Sequence, residues 1–260
     1  MKKILLSVAG YDPCGGAGVL LDLRVFVHLG FQAMGVLTAA TAQNTECVSK
    51  VYCLPSKFLQ AQYATLCQDV RFSGIKIGMI GCRENIKVVG RFLAKTKDIP
   101  RVVDTVFKSS SGAWLLEKKA IPFYLEEIRG KASLLTPNLE EASLLSGRKI
   151  ENLEDMKEAA RKIFLLSGIP CLIKGGHLEK EATDLLYDGH KFHFFENEKI
   201  KKNVHGTGCF LSSAILAFLA KGNSLKRACL LANQLTHQAI KSAVQIGRGQ
   251  QIISFPLIFV

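Results

Sequence analysis

The chain has 260 residues, 48% hydrophobic and 22% charged, a composition that excludes disordered and fibrous classes. Its net charge of +12 permits a polyanion or a phosphate-bearing small molecule as partner. The basic residues are dispersed, and the densest cluster (Lys199, Lys201 and Lys202) has no interleaved aromatics, so nucleic-acid binding is not expected.

Taken in chain order, short apolar runs alternate with longer helical patterns. Residues 4–9 read as a buried strand, because Asp12-Pro13 and a Gly-rich loop end the run too early for a signal segment. Residues 18–29 read as a helix, with Val19, Leu20, Leu23, Phe26 and Val27 on one face. Further strands are expected at 32–37, 74–80, 101–106, 134–135 and 171–174. Helices are expected at 55–70, 86–94, 139–145, 153–167, 209–220 and 224–243. Residues 182–187 and 190–195, split by Asp188-Gly189, read as an edge hairpin. The tail after Gly249 is apolar and reads as an edge segment of unassigned place. This rhythm predicts one α/β domain over residues 1–260, a mostly parallel sheet with helices on both faces. No apolar run reaches the roughly 20 residues of a membrane span, so no membrane partner is expected.

The eight cysteines (Cys14, Cys47, Cys53, Cys67, Cys82, Cys171, Cys209 and Cys229) form no C-x-x-C pair and no zinc-finger spacing. A reducing cytoplasm fits that usage.

Ligands of such sheets bind beyond the carboxyl ends of the strands, so the residues after each strand carry the functional signal. His205-Gly206-Thr207-Gly208-Cys209 opens an apolar helix. Two glycines and the unpaired N–H groups of a helix start make an anion hole suited to a phosphoryl group; an ordinary Gly-rich turn would read the same. Cys209, in the first turn, is expected to have a lowered thiol pKa and to serve as base, or else to be a small packing residue. Asp104 ends a strand, and Asn138 and Glu141 lie three apart at a helix start. Together they could hold Mg²⁺ directly or through waters. Alternatively Asn138 is a helix cap and Glu141 a solvated acid. Lys174, at a strand end before Gly175-Gly176, is placed to reach phosphate, or is a solvated lysine. There is no Walker A sequence and no G-x-G-x-x-G in the 74–81 segment.

The stretch Ala9-Gly10-Tyr11-Asp12-Pro13-Cys14-Gly15-Gly16-Ala17-Gly18 resembles the Ala-Gly-Ser-Asp-Pro-Ser-Gly-Gly-Ala-Gly signature of hydroxymethylpyrimidine/phosphomethylpyrimidine kinases, members of the ribokinase-like superfamily. The resemblance continues through Thr41-Ala42-Gln43-Asn44-Thr45, Lys76-Ile77-Gly78-Met79, Thr136-Pro137-Asn138-Leu139, Lys174-Gly175-Gly176-His177, the 183–189 segment and His205 to Cys209. It covers essentially the whole chain. It implies a three-layer αβα fold and an ATP- and Mg²⁺-dependent kinase, usually a homodimer. Such a kinase phosphorylates 4-amino-5-hydroxymethyl-2-methylpyrimidine and then its monophosphate, in thiamine biosynthesis. By the same resemblance, Gln43 hydrogen-bonds the aminopyrimidine, and Gly10, Asp22 and Met79 line its pocket. Lys174, Thr207 and Gly208 hold ATP phosphate. Asp104, Asn138 and Glu141 organise Mg²⁺, and Gly206, Gly208 and Cys209 form the anion hole with its base.

Four departures from the family pattern stand out. Thr105 replaces a proline and is expected to loosen the metal-site loop; Tyr11 and Cys14 replace two small serines in the first loop, and Tyr11 is expected to crowd the substrate lid. Val204 stands where Thr or Ser often precedes the histidine. The alternatives are a pyridoxal kinase of the same subfamily and a non-catalytic, ligand-sensing or nucleic-acid-binding descendant of the fold.

Overall fold

The structure is a computed structural model and describes residues 3–176 and 182–255. His177 therefore lies outside the described residues. A nine-stranded sheet runs in the order β3-β2-β1-β4-β5-β6-β7-β8-β9. Its parallel centre is β2 (Gln32–Gln43), β1 (Ile4–Tyr11), β4 (Gly74–Ile77), β5 (Arg101–Val103), β6 (Leu134–Leu135) and β7 (Cys171–Ile173). Antiparallel strands close both edges: β3 (Val48–Cys53) beside β2, and the hairpin β8 (Ala182–Tyr187) and β9 (Phe192–Asn197) beside β7.

Alternation along the strands sorts the core into two layers. Leu6, Val8, Ile75, Ile77, Val103, Leu135 and Ile173 face one side. There they meet α2 (Ser56–Asp69), α3 (Arg83–Ala94), α4 (Ile121–Ile128), α5 (Leu139–Ser146) and α6 (Leu153–Ser167). Leu5, Val102, Leu134 and Leu172 face the other, against α1 (Gly18–His28), α7 (Thr207–Ala220) and α8 (Leu225–Lys241). This is the expected three-layer αβα arrangement.

Some elements differ from the reading of the sequence. β2 runs on to Gln43 and turns back as β3. Asn44 makes that turn, its side-chain oxygen accepting the N–H groups of Glu46 and Cys47, both at 2.9 Å. The short helix α4, with Pro122 in its first turn, was not expected. The tail forms β11 (Gln251–Ile252), which leaves the main sheet and pairs in parallel with β10 (Val204–His205) just ahead of α7.

One buried charge sits in the second layer. Lys76 alternates with Ile75 and Ile77 and so points towards α1 and α7, where it donates to both oxygens of Asp22 at 2.8 and 2.9 Å. Ser7 and Ser213 add hydroxyl bonds to Asp22 at 2.6 and 2.8 Å. Neither side chain of the pair is exposed. Burial alone would push the Lys76 ammonium down, but the Asp22 carboxylate outweighs it and holds the pKa up. The cluster joins β1, β4, α1 and α7, whose ends form the cleft described below. Lys76→Met should therefore destabilise the fold by about 3–5 kcal/mol, because it leaves Asp22 buried and uncompensated. The double change Lys76→Met with Asp22→Leu should recover much of that loss. Urea unfolding of both variants measures it; a single variant as stable as the parent would show that the pair does not hold this corner together.

Candidate active site

At the carboxyl ends of the parallel strands lies a cleft of about 1080 Å³. It opens where the chain leaves β1 towards β2 on one side and β4 on the other, the place an open α/β sheet offers for ligands. Every residue singled out from the sequence lines it except Asp22. Asp22 is a correction: it lies beneath the cleft, taken up by Lys76 and two serines, and does not face the pyrimidine pocket.

Gly206 caps α7 with φ +80°, and a Cβ there would meet the Gly16 carbonyl at 1.8 Å, so only glycine fits. The first intrahelical bond is from Phe210 N–H to the Gly206 carbonyl at 2.9 Å. The N–H groups of Thr207, Gly208 and Cys209 precede it and point the helix start into the cleft. A Cβ on Gly208 would lie 3.0 Å from Lys174 Nζ, so glycine lets the ammonium lie over the helix start.

Lys174 follows β7 and is held in register by its N–H to the Pro137 carbonyl at 2.9 Å. Its ammonium donates to Asp104 Oδ1 at 2.8 Å. Thr136 and Ser212 donate to the same carboxylate at 3.1 and 3.3 Å. Burial would push Asp104 up; Lys174 and Lys76 outweigh it and hold the carboxyl below its ordinary value. Burial would likewise push Lys174 down, but Asp104 and Glu141 keep it a charged ammonium.

Asn138 and Glu141 form a reciprocal cap on α5. Asn138 Oδ1 accepts the Glu141 N–H at 2.9 Å, and Glu141 Oε2 accepts the Asn138 N–H at 2.8 Å. Glu141 is therefore buried and not a solvated acid. Burial pushes it up to about 7, with Lys174 opposing and Asp104 adding. Thr105 corrects another expectation. Its hydroxyl donates to Glu141 Oε2 at 3.2 Å, so it fastens the loop that proline was expected to stiffen.

These residues fit Mg²⁺ in one way. Among the described residues no group of three or more His, Cys, Asp or Glu could cage a metal, and Asn138 Oδ1 is spent on its cap. Asp104 Oδ2 and Glu141 Oε1 each carry one weak bond, at 3.3 and 3.4 Å, and keep lone pairs for water ligands. That suits an ion that keeps most of its hydration and takes its other ligands from phosphate.

At the other end of the cleft, Met79 packs with Ala39 and Leu115, and a Cβ on Gly10 would meet Met79 Sδ at 2.7 Å. Gln43 Nε2 lies 3.0 Å from His205 Nε2. The same His205 nitrogen lies 3.0 Å from Asp12 Oδ2. Asp12 also accepts the N–H groups of Cys14 and Ala17 at 2.9 and 2.8 Å, which shapes the Gly-rich loop. Burial would push Asp12 up, but His205 and these N–H groups hold it below the ordinary carboxyl range. Asp12, His205, Ser212 and Lys76 were given no role from the sequence. The one available signal was a lysine inside the apolar strand Gly-Ile-Lys-Ile, which demands a partner.

Cys209 needs a further correction. The helix start was expected to lower its pKa. Burial instead pushes the thiol up to about 11; Lys76 opposes, Asp104 and Asp22 add, and the Gly18 N–H opposes. The thiol is protonated at neutral pH.

Residues 12–254 match the family model described as phosphomethylpyrimidine kinase. The chain is 40% identical over 254 residues to the hydroxymethylpyrimidine/phosphomethylpyrimidine kinase of Aquifex aeolicus, covering 97% of this chain and 100% of that protein. Among solved structures, a phosphomethylpyrimidine kinase from Clostridium difficile 630 is similar with TM-score 0.81 and 36% identity, over 92% of this chain and 100% of that one. The pyridoxal kinase of Staphylococcus aureus in complex with AMP-PCP is similar with TM-score 0.89 and 32% identity, over 97% of this chain and 93% of that one. Its complex with pyridoxal gives TM-score 0.90, again at 32% identity, over 98% of this chain and 93% of that one. A match of this extent, on a ribokinase-like αβα fold with the glycine-capped helix start, lysine and carboxylates gathered in one cleft, means that the chain belongs to the hydroxymethylpyrimidine/phosphomethylpyrimidine kinase family.

Proposed function

We propose that this cleft transfers the γ-phosphoryl group of ATP to the hydroxymethyl oxygen of 4-amino-5-hydroxymethyl-2-methylpyrimidine, and then a second one to the resulting monophosphate, for thiamine biosynthesis. The observation that carries the reading is the convergence of Lys174, Asp104 and the α7 start on one point of the cleft, with Gly208 opening the space between them. Gln43, with a donor and an acceptor on one amide, lies at the other end to take the aminopyrimidine edge. Gly10 and Met79 form the wall beside it.

Phosphoryl transfer asks for positioning and charge stabilisation more than covalent chemistry. Lys174 shares its ammonium between Asp104 and incoming phosphate oxygens. The N–H groups of Thr207, Gly208 and Cys209 face the charge that develops on the transferred group. Asp104 and Glu141 would hold Mg²⁺ through its waters, and the ion would neutralise phosphate oxygens there. Family habit adds a homodimer. The eight cysteines, all free thiols, agree with a reducing cytoplasm.

A pyridoxal reading is favoured by one finding, the pyridoxal-bound neighbour. An ATP-consumption assay on both alcohols, with product masses, decides between them. The expected outcome is mono- and diphosphate from the pyrimidine and slower turnover of pyridoxal. No product from the pyrimidine would overturn the assignment.

Gln43→Leu should weaken pyrimidine binding by about 1–3 kcal/mol, because the substrate's polar edge is left unpaired. ATP affinity should barely change. Calorimetry with each ligand checks it, and unchanged pyrimidine affinity would take Gln43 out of the site.

Lys174→Ala should lower kcat far more than it alters pyrimidine affinity, by about 10²-fold or more, since its partner is the phosphate whose charge changes in the transition state. Full turnover at saturating Mg-ATP would refute this.

A thiol held at about 11 is a poor free-standing base near neutral pH. Cys209→Ala should therefore lower both phosphorylations by similar factors, since the N–H groups of the anion hole survive the change. A base would be needed only for the alcohol acceptor, because a phosphate monoester is already largely dianionic, with a second pKa of about 6. Separate assays on the alcohol and its monophosphate measure this. A loss confined to the alcohol step would restore the base role. Alkylation of Cys209, followed by peptide mass, should rise about tenfold per pH unit between about pH 7 and pH 9 without a plateau.

A further inference from the structure

Two cysteines outside the kinase chemistry lie together behind the pyrimidine end of the cleft. Cys53 ends β3 opposite Ala39 of β2. Its sulfur rests on the backbone before α3: a Cβ on Gly81 would lie 2.5 Å from Cys53 Sγ. The next residue, Cys82, is the N-cap of α3, a position usually held by Ser, Thr, Asp or Asn. Cys53 Sγ thus lies against the residue that immediately precedes Cys82, and each thiol shifts the titration of the other. Both are partly exposed.

The backbone around the pair is fixed. The buried Asn85 amide donates to the carbonyls of Thr38, Leu54 and Ile80 at 3.2, 3.3 and 3.3 Å. It thus ties the residue after Cys53 to the turn before Cys82. Glu117 N–H closes the same turn onto the Gly81 carbonyl at 3.1 Å. Strand pairing and a pinned helix start therefore hold the two cysteines side by side.

Their surroundings divide the labour between them. The Cys53 thiol draws Cys82 down to about 7; burial opposes, the Asn85 N–H adds, and the carboxylates of Glu84 and Glu117 oppose. The Cys82 thiol, burial and the same two carboxylates push Cys53 up. Of the two, Cys82 is the sulfur that gives up its proton first and Cys53 the one that keeps it, the division of roles a two-cysteine site needs.

We propose that Cys53 and Cys82 form a reversible disulfide in response to hydroperoxides. The Cys82 thiolate attacks a peroxide oxygen, the O–O bond breaks, and the leaving oxygen takes a proton to become water or an alcohol. Cys82 is then a sulfenic acid. The Cys53 sulfur, giving up its proton, attacks the Cys82 sulfur, the S–O bond breaks, and a water leaves. Two thiols and one peroxide thus yield one disulfide and, for hydrogen peroxide, two waters. A cellular dithiol reverses the step. Cys53 packs against Ala39, Met79 and Leu115, so the bond forms directly behind the wall of the pyrimidine pocket.

The test uses the fully reduced full-length chain and stoichiometric hydrogen peroxide, followed by intact mass and peptide mapping without reductant. The expected result is a loss of two hydrogen masses, a peptide linking Cys53 to Cys82 ahead of oxidation at the other six cysteines, and recovery of the starting mass with dithiothreitol. In Cys53→Ser, the sulfenic acid should persist, and dimedone should label Cys82 at least about tenfold over any other cysteine. A first oxidation elsewhere in the parent chain overturns the proposal. So does even dimedone labelling in the variant. If that variant does not fold, the peptide map of the parent chain decides alone.

Discussion

Everything at the cleft depends on ammonium groups kept charged inside the protein by carboxylates. A site for transferring phosphoryl groups needs positive charge where water is scarce. Without nucleotide, that charge must be held by the protein itself or it would be lost by deprotonation. Two pairs meet this need at different depths. Lys76–Asp22 is sealed under the floor, and Lys174–Asp104 lies at its surface, where the lysine is 17% exposed and the aspartate 1%. The deeper pair holds the backbone elements in place. The shallower one can exchange a partner, because a phosphate oxygen can replace or share the carboxylate without unfolding anything.

The hydroxyl groups around these carboxylates follow from the same constraint. A buried carboxylate left with empty lone pairs is costly, so each draws donors from whichever elements pass by. Asp22 takes Ser7 from β1 and Ser213 from α7; Asp104 takes Thr136 after β6 and Ser212 from α7. Ser212 and Ser213 are adjacent on one helix and serve the two pairs separately. The first turns of α7 are thus anchored at two points, which fixes the position of the N–H groups at the helix start.

How much of this was legible in the sequence depended on what kind of information each residue carries. The parallel centre of the sheet announced itself through short apolar runs ended by Gly or Pro, because strands buried on both faces are apolar throughout. β3 was not read because its face is half exposed and carries Ser49 and Lys50, so its alternation is weak. The turn chemistry at Asn44 was present but unread. Within the site, the side chains at strand ends were legible because topology alone carries them to the cleft. Asp22 and Cys209 were misjudged because their roles depend on depth. A helix start is visible in a sequence, whereas desolvation is a property of everything packed around it.

The departures from the family pattern show how this constraint redirects substitutions. At Thr105 the family's proline would supply a fixed φ and no hydrogen bond. Threonine supplies a donor instead, and spends it on Glu141, a carboxylate that burial pushes above its ordinary range. A stiff turn and a bonded turn are two means of keeping one acid in place. At Cys14 the side chain donates to the Gln43 carbonyl at 3.6 Å, a weak bond of the kind a serine would make more strongly, so the loop over the substrate keeps its tie to β2. Tyr11, at 37% exposure, lines the cleft at its rim. Asp12 and His205 are then left to fix the Gln43 amide. Its geometry rests on Asp12, whose carboxylate gathers two backbone N–H groups and a ring nitrogen from opposite ends of the chain. The first loop and the approach to α7 are joined through that one carboxylate. The Gly-rich loop can therefore be small and unbranched without being loose.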